Sequence, residues 1–384
     1  MKKIKLLQMI TKLDLGGAQL STLELIKGLD KDIYEVYLIT SDKGILINDI
    51  ILISKIKLHL LPSLRRESNI LYDIKALFDI YNFIRLQNID IVHTHSSKAG
   101  ILGRWAAKLA GVRVIIHTVH GWGFHEYQNK IKKYFYIFLE KITAIITDQI
   151  ITVTEHDISK GLNYGVGNKH KYNLIRYGIN KNRFSISNNG SFREKMGVDN
   201  GCFVVGMIAC FKPQKSPLDF VFSAARVAKY ISDVKFVMVG DGQLKDKVVA
   251  LIERLNLKNK FVLLGWQRKI PEIISSFDVL VLTSLWEGLP IVFLEAMAGR
   301  KPIVATNIDG NSEVVDDGVN GFLVNPRDSY VLADRIIYLF KNRNLSLQMG
   351  EKGRSFLNKE YELKHMISRI DSFYLSCLKQ EGDI

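Results

Sequence analysis

Residues 285–304 read LWEGLPIVFLEAMAGRKPIV, and their flanks decide how they fold. The apolar runs Val279–Thr283 before them and Pro302–Thr306 at their end have strand character. Between these runs, Pro290 suits the first turn of a helix, where its missing N–H is not needed. Good helix formers follow from Ile291 to Ala298, and Gly299 supplies the stop. Strand, glycine-containing turn, helix and strand make a unit of a doubly wound parallel sheet. At such a junction unpaired N–H groups and the positive end of the helix dipole converge into an anion site. Glu287 and Glu295 flank that site. Two carboxylates touching an anion would repel it, so their functional reading is as acceptors of hydrogen bonds from hydroxyls, one set on a sugar and one on a ribose. A capping glutamate and a salt-bridged one on an ordinary buried helix is the other reading, and this segment alone leaves both open.

The same alternation runs along all 384 residues, a length that suits two domains. In the first half strands are expected at Ile4–Met9, Tyr34–Thr40, Lys57–Leu61, Ile89–Thr94, Val114–Thr118, Gln149–Val153 and Asn173–Ile175. Helices are expected between them, notably at Ala18–Leu29, Tyr72–Gln87, Lys98–Ala110 and Lys130–Thr147. In the second half strands are expected at Phe203–Ile208, Lys235–Val239, Phe261–Leu264, Val279–Thr283, Pro302–Thr306 and Gly321–Val324. Continuous apolar strands mark parallel sheets covered on both faces, so the fold class is α/β. Residues 185–201, SISNNGSFREKMGVDNG, carry turn signals and almost no periodic pattern. They are expected to link a domain of residues 1–184 to one of residues 185–360, with the final helical stretch, about 361–384, packing back on the first. In doubly wound sheets ligands bind outside the carboxyl ends of the strands, which places the active site in a cleft between the domains.

Composition narrows the class. No apolar run approaches the ~20 residues of a membrane span, and the start MKKIKLLQMI reads as a first strand rather than a signal peptide. Cys202, Cys210 and Cys377 have no metal-ligand spacing, so neither a disulfide framework nor a zinc site is indicated. Up to residue 190 there are 27 Lys and Arg against 16 Asp and Glu, and beyond it 26 against 23. The basic first half suits nucleic acid, anionic lipid or a phosphorylated substrate, or simply reflects a lysine-rich composition.

Chemistry-bearing residues collect at strand ends. Asp14-Leu15-Gly16-Gly17-Ala18 lets backbone N–H groups approach a phosphate or sugar, although it lacks the patterns of dinucleotide binders and P-loops. Five of the nine histidines fall between residues 93 and 125. No acidic residue completes a metal site among them, and His120, followed by Gly121, is best placed to meet sugar hydroxyls. His93 and His117 read better as satisfied core residues. After Phe203–Ile208 the loop ACFKPQKSP carries Lys212 and Lys215 where a diphosphate lies in such a sheet. The segment KIKKYFYIFLEK, from Lys130, combines basic and aromatic residues and suits either a membrane interface or packing on the sheet.

Together these residues resemble the retaining glycosyltransferases of family 4. The resemblance runs over nearly the whole chain and is strongest in VMVGDG, FVLLGWQ, EGLPIVFLE, PIVATNIDGNSEVV and DGVNGFLVNP, which stand in the family's order. It implies the GT-B architecture, two facing Rossmann-like domains with the active site in the cleft between them. It also implies that Glu287 contacts the donor sugar, Glu295 the ribose, and the amides near Gly288 and Leu289 the sugar and diphosphate. Lys215 matches the family's diphosphate-binding lysine. The arginine usual five residues earlier is replaced by Cys210, for which Lys212 is the candidate substitute. Trp266 and Gln267 fall where the backbone meets the base, His120 at the donor sugar, and Gly16 and Gly17 at the phosphates. The HGWGF and CFKPQK stretches look like those of bacterial capsule, O-antigen or exopolysaccharide transferases.

The expected reaction is therefore transfer of a hexose or N-acetylhexosamine from a nucleotide diphosphate sugar, UDP first among them, to a hydroxyl of a lipid-linked or saccharide acceptor with retention. The implied partners are the donor, a polyprenyl-diphosphate-linked acceptor and an anionic membrane surface, with neither metal nor further cofactor. The implied location is the cytoplasm, at the inner face of the membrane. A nucleotide-sugar epimerase or a phosphorylase is the alternative within the fold, and a basic nucleic-acid-binding module the alternative outside it, though no nucleic-acid motif is present.

Overall fold

The apolar runs form two separate parallel sheets in the computed structural model, which describes residues 3–67, 69–185, 191–199 and 201–380. In the first half these are β1 (Ile4–Ile10), β2 (Tyr34–Thr40), β3 (Ile56–Leu60), β4 (Ile91–His95), β5 (Val114–Val119), β6 (Gln149–Thr152) and β7 (Tyr172–Leu174). Their order is β3-β2-β1-β4-β5-β6-β7, every neighbouring pair parallel. Side chains alternate across β1, so both faces must be covered. Leu6 and Ile10 enter one core with Leu23, Ile26 and Ile91, while Leu7 and Met9 enter the other with Ile80, Ile84 and Ile115. The last helix, Leu363–Gln380, completes the first of these cores through Met366, Ile370, Tyr374 and Leu378, spaced to share one helical face.

The second sheet comprises β8 (Phe203–Ile208), β9 (Val234–Val239), β10 (Phe261–Leu263), β11 (Val279–Leu282), β12 (Ile303–Thr306) and β13 (Gly321–Val324). It is parallel throughout in the order β10-β9-β8-β11-β12-β13. Each sheet thus reverses its direction of growth once, between β1 and β4 in the first and between β8 and β11 in the second.

Two expectations about organisation change. The chain divides into Met1–Gly178 with Leu363–Ile384, and Ile179–Glu362, earlier than the expected break after residue 184. Ile179 bridges to Glu362, and the 3-10 turn Lys181–Phe184 packs against the helices Ile270–Ser276 and Ile291–Ala298, which assigns these residues to the second unit. The expected linker, 185–201, lies partly outside the described residues, and its described part is folded. Arg193, in the short helix Ser191–Lys195, buries its guanidinium in bonds to the carbonyls of Ser276 and Cys202 and to the Asp278 carboxylate.

Candidate active site

In the second unit the adjacency of β8 and β11 brings two distant loops together at the point where strand order reverses, the usual place for a ligand in such a sheet. The loop after β8 ends in a 3-10 turn, Pro213–Lys215, before the helix Pro217–Tyr230. The loop after β11 runs through Glu287 into the helix Ile291–Ala298. The amide of Leu285 donates to the Gln214 carbonyl at 2.7 Å, and Gln214 Nε2 returns a bond to the Trp286 carbonyl at 2.8 Å. Thr283 Oγ1 donates between the carbonyls of Lys215 and Ser216, each at 2.9 Å.

This lacing puts Lys215 Nζ on Glu287 Oε1, which also accepts from Ser284 Oγ at 2.6 Å. The lysine and glutamate side chains are only 17% and 8% exposed. At that burial removing either partner would leave the other without its counter-charge, at a cost of several kcal/mol. Glu287 is thus neither a cap nor an isolated carboxylate. It is one half of an ion pair whose other half comes from the expected diphosphate loop.

Glu295 is in a different condition. It sits in the middle of the helix Ile291–Ala298, and among the described residues no hydrogen bond or ion pair reaches its carboxylate, which excludes the salt-bridged reading. Desolvation raises its pKa to about 7, opposed by the charge of Arg183. Pro290 stands at the N-cap, just before the helix rather than in its first turn. Gly288 and Leu289 precede it, with Leu289 buried. The Gly288 carbonyl lies so close to Gly310 that a Cβ built there would stand 1.4 Å from the oxygen.

The remaining expected residues of this unit occupy the same carboxyl edge of the sheet. Trp266 and Gln267 follow β10, where Gln267 Nε2 donates to the Leu264 carbonyl at 2.7 Å and Gly265 accepts from the Gly240 amide at 2.8 Å. Gly240 has φ +127°, and a Cβ there would meet the Ala209 carbonyl at 2.0 Å, so this junction requires glycine. Lys212 and the partly buried Cys210 lie on the β8 loop, one residue either side of the buried Phe211.

In the first unit Gly16 is the N-cap of the helix Gly17–Gly28, at the β1 end of that sheet's own reversal point. Thr11 and Ser96, from the ends of β1 and β4, join their hydroxyls at 2.8 Å there. His120 follows β5, and its ring is fully engaged. Nε2 meets His95 Nδ1 at 2.9 Å, and Nδ1 meets the Tyr177 hydroxyl. A sugar hydroxyl therefore reaches either nitrogen only by taking the place of His95 or Tyr177. Burial pushes His120 down to about 3 and holds His95 well below the usual imidazole range, so both are neutral at pH 7. His93 and His117 are buried and hydrogen-bonded, as core residues should be. Among the described residues no group of three or more His, Cys, Asp or Glu is arranged to hold a metal ion.

Sequence reasoning missed Gln214 and Ser284, which brace the ion pair, and Gln8, Tyr177 and Tyr374, which surround the histidines. Gln8 was signalled by its place as the lone polar residue in the apolar run LLQMI. Tyr374 carried no local signal. On the helix Lys130–Ile145, where two readings stood open, Tyr134, Phe135 and Phe138 are 60%, 56% and 57% exposed, while Tyr136 packs partly against the core. Among the described residues no helix is long and apolar enough to cross a membrane.

Comparisons with known proteins converge on one family. Residues 15–183 match the family model described as Glycosyltransferase Family 4, and residues 188–356 match Glycosyl transferases group 1. An Escherichia coli protein, UDP-Gal:alpha-D-GlcNAc-diphosphoundecaprenol alpha-1,3-galactosyltransferase, is 33% identical over 370 residues, 94% of this chain and 94% of its own length. The capsular polysaccharide biosynthesis glycosyltransferase CapM of Staphylococcus aureus is 24% identical over 84% of this chain and 86% of its own. In fold, the chain resembles Anabaena HepE, solved in complex with UDP-glucose, with a TM-score of 0.85 at 20% identity over 97% of this chain and all of that one.

Proposed function

The chain belongs to the family 4 glycosyltransferases and is a hexosyltransferase of bacterial surface polysaccharide synthesis, and from that premise we propose that it moves a hexose or N-acetylhexosamine from a UDP-sugar to a hydroxyl of a polyprenyl-diphosphate-linked acceptor, with retention. The observation that carries the reading is the Lys215–Glu287 pair at the reversal point of the second sheet. The donor and acceptor in the name of the E. coli relative support the choice of UDP and of a lipid-linked substrate.

The ion pair suggests how the donor is received. An arriving diphosphate competes for Lys215, and sugar hydroxyls compete for the Glu287 carboxylate, so each buried charge exchanges its partner for a complementary one. Glu295 accepts from the ribose hydroxyls. As the glycosidic bond breaks, charge grows on the diphosphate, where Lys215, Lys212 and the amides of the loop before Ile291 stabilise it. The reading takes a front-face route, in which the leaving phosphate takes the acceptor's proton.

The test is transfer by the purified protein from a panel of UDP- and GDP-sugars, UDP-galactose first, to an undecaprenyl-diphosphate N-acetylglucosamine analogue, with the product's anomeric configuration read by NMR. A retained glycosidic linkage supports the reading. Sugar 1-phosphate or an epimerised sugar nucleotide would defeat it in favour of a phosphorylase or an epimerase.

A second element of the reading concerns location, at the inner face of the cytoplasmic membrane. The exposed Ile131, Tyr134, Phe135 and Phe138 stand on one helix with Lys130 and Lys132, a combination that suits an anionic lipid interface. Co-flotation with anionic but not zwitterionic vesicles, lost on replacing Phe135 and Phe138 by serine, is the expected result. Flotation unchanged by that double replacement counts against it.

A further inference from the structure

The interior of the first sheet holds more polar side chains than a parallel sheet needs. Gln8 on β1, His93 and His95 on β4, and Tyr374 on the helix Leu363–Gln380 are all buried. Strand register sets Gln8 beside His93, and His95 beside Thr118. Leaving any of these groups unsatisfied would cost about 1–3 kcal/mol. Instead each bond leads to the next, in a single file that ends at the catalytic candidate His120.

The file can be followed atom by atom. Tyr177 Oη meets His120 Nδ1, and His120 Nε2 meets His95 Nδ1 at 2.9 Å. His95 Nε2 meets Gln8 Oε1 at 2.7 Å, and Gln8 Nε2 donates to Tyr374 Oη at 2.9 Å. Tyr374 Oη meets His93 Nδ1, and His93 Nε2 meets Thr118 Oγ1 at 2.6 Å. Burial keeps the three imidazoles neutral, with His93 down to about 3. A neutral imidazole has one donor nitrogen and one acceptor, and the Gln8 amide has a donor end and an acceptor end.

These constraints leave little freedom. With Gln8 Oε1 toward His95, His95 carries its proton on Nε2, so its Nδ1 accepts from His120 Nε2–H. His120 Nδ1 then accepts from the Tyr177 hydroxyl. On the other side Tyr374 accepts from Gln8, donates to His93 Nδ1, and His93 Nε2–H donates to Thr118. Turning the Gln8 amide over reverses every bond and moves all three imidazole protons to Nδ1. The one mixed arrangement that keeps every contact, with His93 alone turned to Nδ1–H, leaves the buried Tyr374 hydroxyl hydrogen without an acceptor.

We propose that Gln8 and Tyr374 are positioning residues that lock His93, His95 and His120 in one shared tautomer, the Nε2–H form, so that His120 offers Nδ1 as an acceptor to a substrate hydroxyl taking the place of Tyr177. The helix Leu363–Gln380 thereby sets the chemistry of a residue at the end of β5. The role of His120 toward substrate rests on the transferase reading above, whereas the shared tautomer does not.

The test uses the full chain labelled with ¹⁵N-histidine, its ring nitrogens read by two-bond proton–nitrogen correlation and assigned by single His→Asn variants. The expected result is Nε2–H at His93, His95 and His120 together. Tyr374→Phe should mix the tautomers of His120 and lower kcat roughly ten- to a hundredfold while KM for the donor changes far less. Unlike tautomers among the three in the unaltered protein, or a folded Tyr374→Phe with the His120 spectrum unchanged, would overturn the proposal. If Tyr374→Phe does not fold, the unaltered protein's spectrum alone decides. Absence of transfer with the tautomers as expected would instead count against the transferase reading.

Discussion

Glu295 makes donor binding depend on pH in a direction that can be worked out. Its carboxyl pKa is raised from 4.5 to about 7, because burial penalises the charged form more than Arg183 favours it. In the proposed donor complex ribose hydroxyls donate to the carboxylate, so the ionised form is the one expected to bind. Below pH 7 the free protein must first lose a proton, and the apparent Kd rises by a factor of one plus ten to the power (pKa − pH). At pH 5.5 that is about 30-fold, or about 2 kcal/mol, whereas at pH 8 the effect is about 10%. The assay is titration calorimetry with a UDP-sugar, whose diphosphate diester holds constant charge over this range. Run near pH 7 in buffers of different ionisation enthalpy, it should show release of roughly half a proton. Glu295→Gln should abolish the pH dependence, and Glu295→Ala should weaken binding by about 1.5–3 kcal/mol at pH 8. In the ligand-free protein the sign for stability is opposite. The raised pKa contributes stability that is fully present below pH 4.5 and is lost as pH rises through about 7, on the order of 3 kcal/mol. An affinity flat between pH 5.5 and 8, or one that falls with rising pH, would refute the ribose role.

Other expectations follow from contacts already described. Lys215→Ala removes both the proposed diphosphate contact and the partner of a buried Glu287, and should lower turnover by about 100-fold, well beyond Lys212→Ala; equal losses in steady-state kinetics would mean that Lys212 fully replaces the arginine missing at Cys210. At Gly310 a Cβ meets backbone rather than a side chain that can rotate away, so Gly310→Ala should displace the Gly288 loop and weaken donor binding roughly tenfold or more; an unaltered Kd would show that the loop does not hold the donor. Arg104 and Glu140 form a pair 0% and 5% exposed, with Arg104 also donating to the Gly100 carbonyl and Thr147. Glu140→Gln should destabilise the first unit by about 3–5 kcal/mol, read as a lowered Tm, and an unchanged Tm would mean that the arginine needs no counter-charge.

The strands were legible because a strand buried on both faces has to be an unbroken apolar run, and Gly321–Val324 falls where its residues place it. Ends were less so, as at β4, where Ile89–Thr94 was expected and Ile91–His95 is found: His95 reads as polar yet is buried by its bond to Gln8. The helix Glu155–Asn163 escapes a periodicity reading because it is short and polar, although Thr154 capping the Asp157 amide marks its start. At the site the two glutamates stood out by their own segment. What sequence could not show is that Lys215 closes on Glu287, since that meeting is created by β8 and β11 becoming neighbours. Tyr374 and Gln8 lie at opposite ends of the chain, and only the returning helix brings them within a hydrogen bond.

That return has a consequence for how the protein can be altered. Residues 179–362 are an insertion into a domain whose chain starts before them and finishes after them, and the Ile179–Glu362 bridge keeps the two ends of the insertion together. A segment whose ends already meet can be exchanged as a cassette with little loop-closure entropy. Splicing a relative's equivalent segment at 178 and 363 would keep every member of the histidine file, whereas an exchange of simple C-terminal halves would carry Tyr374 away with the donor half.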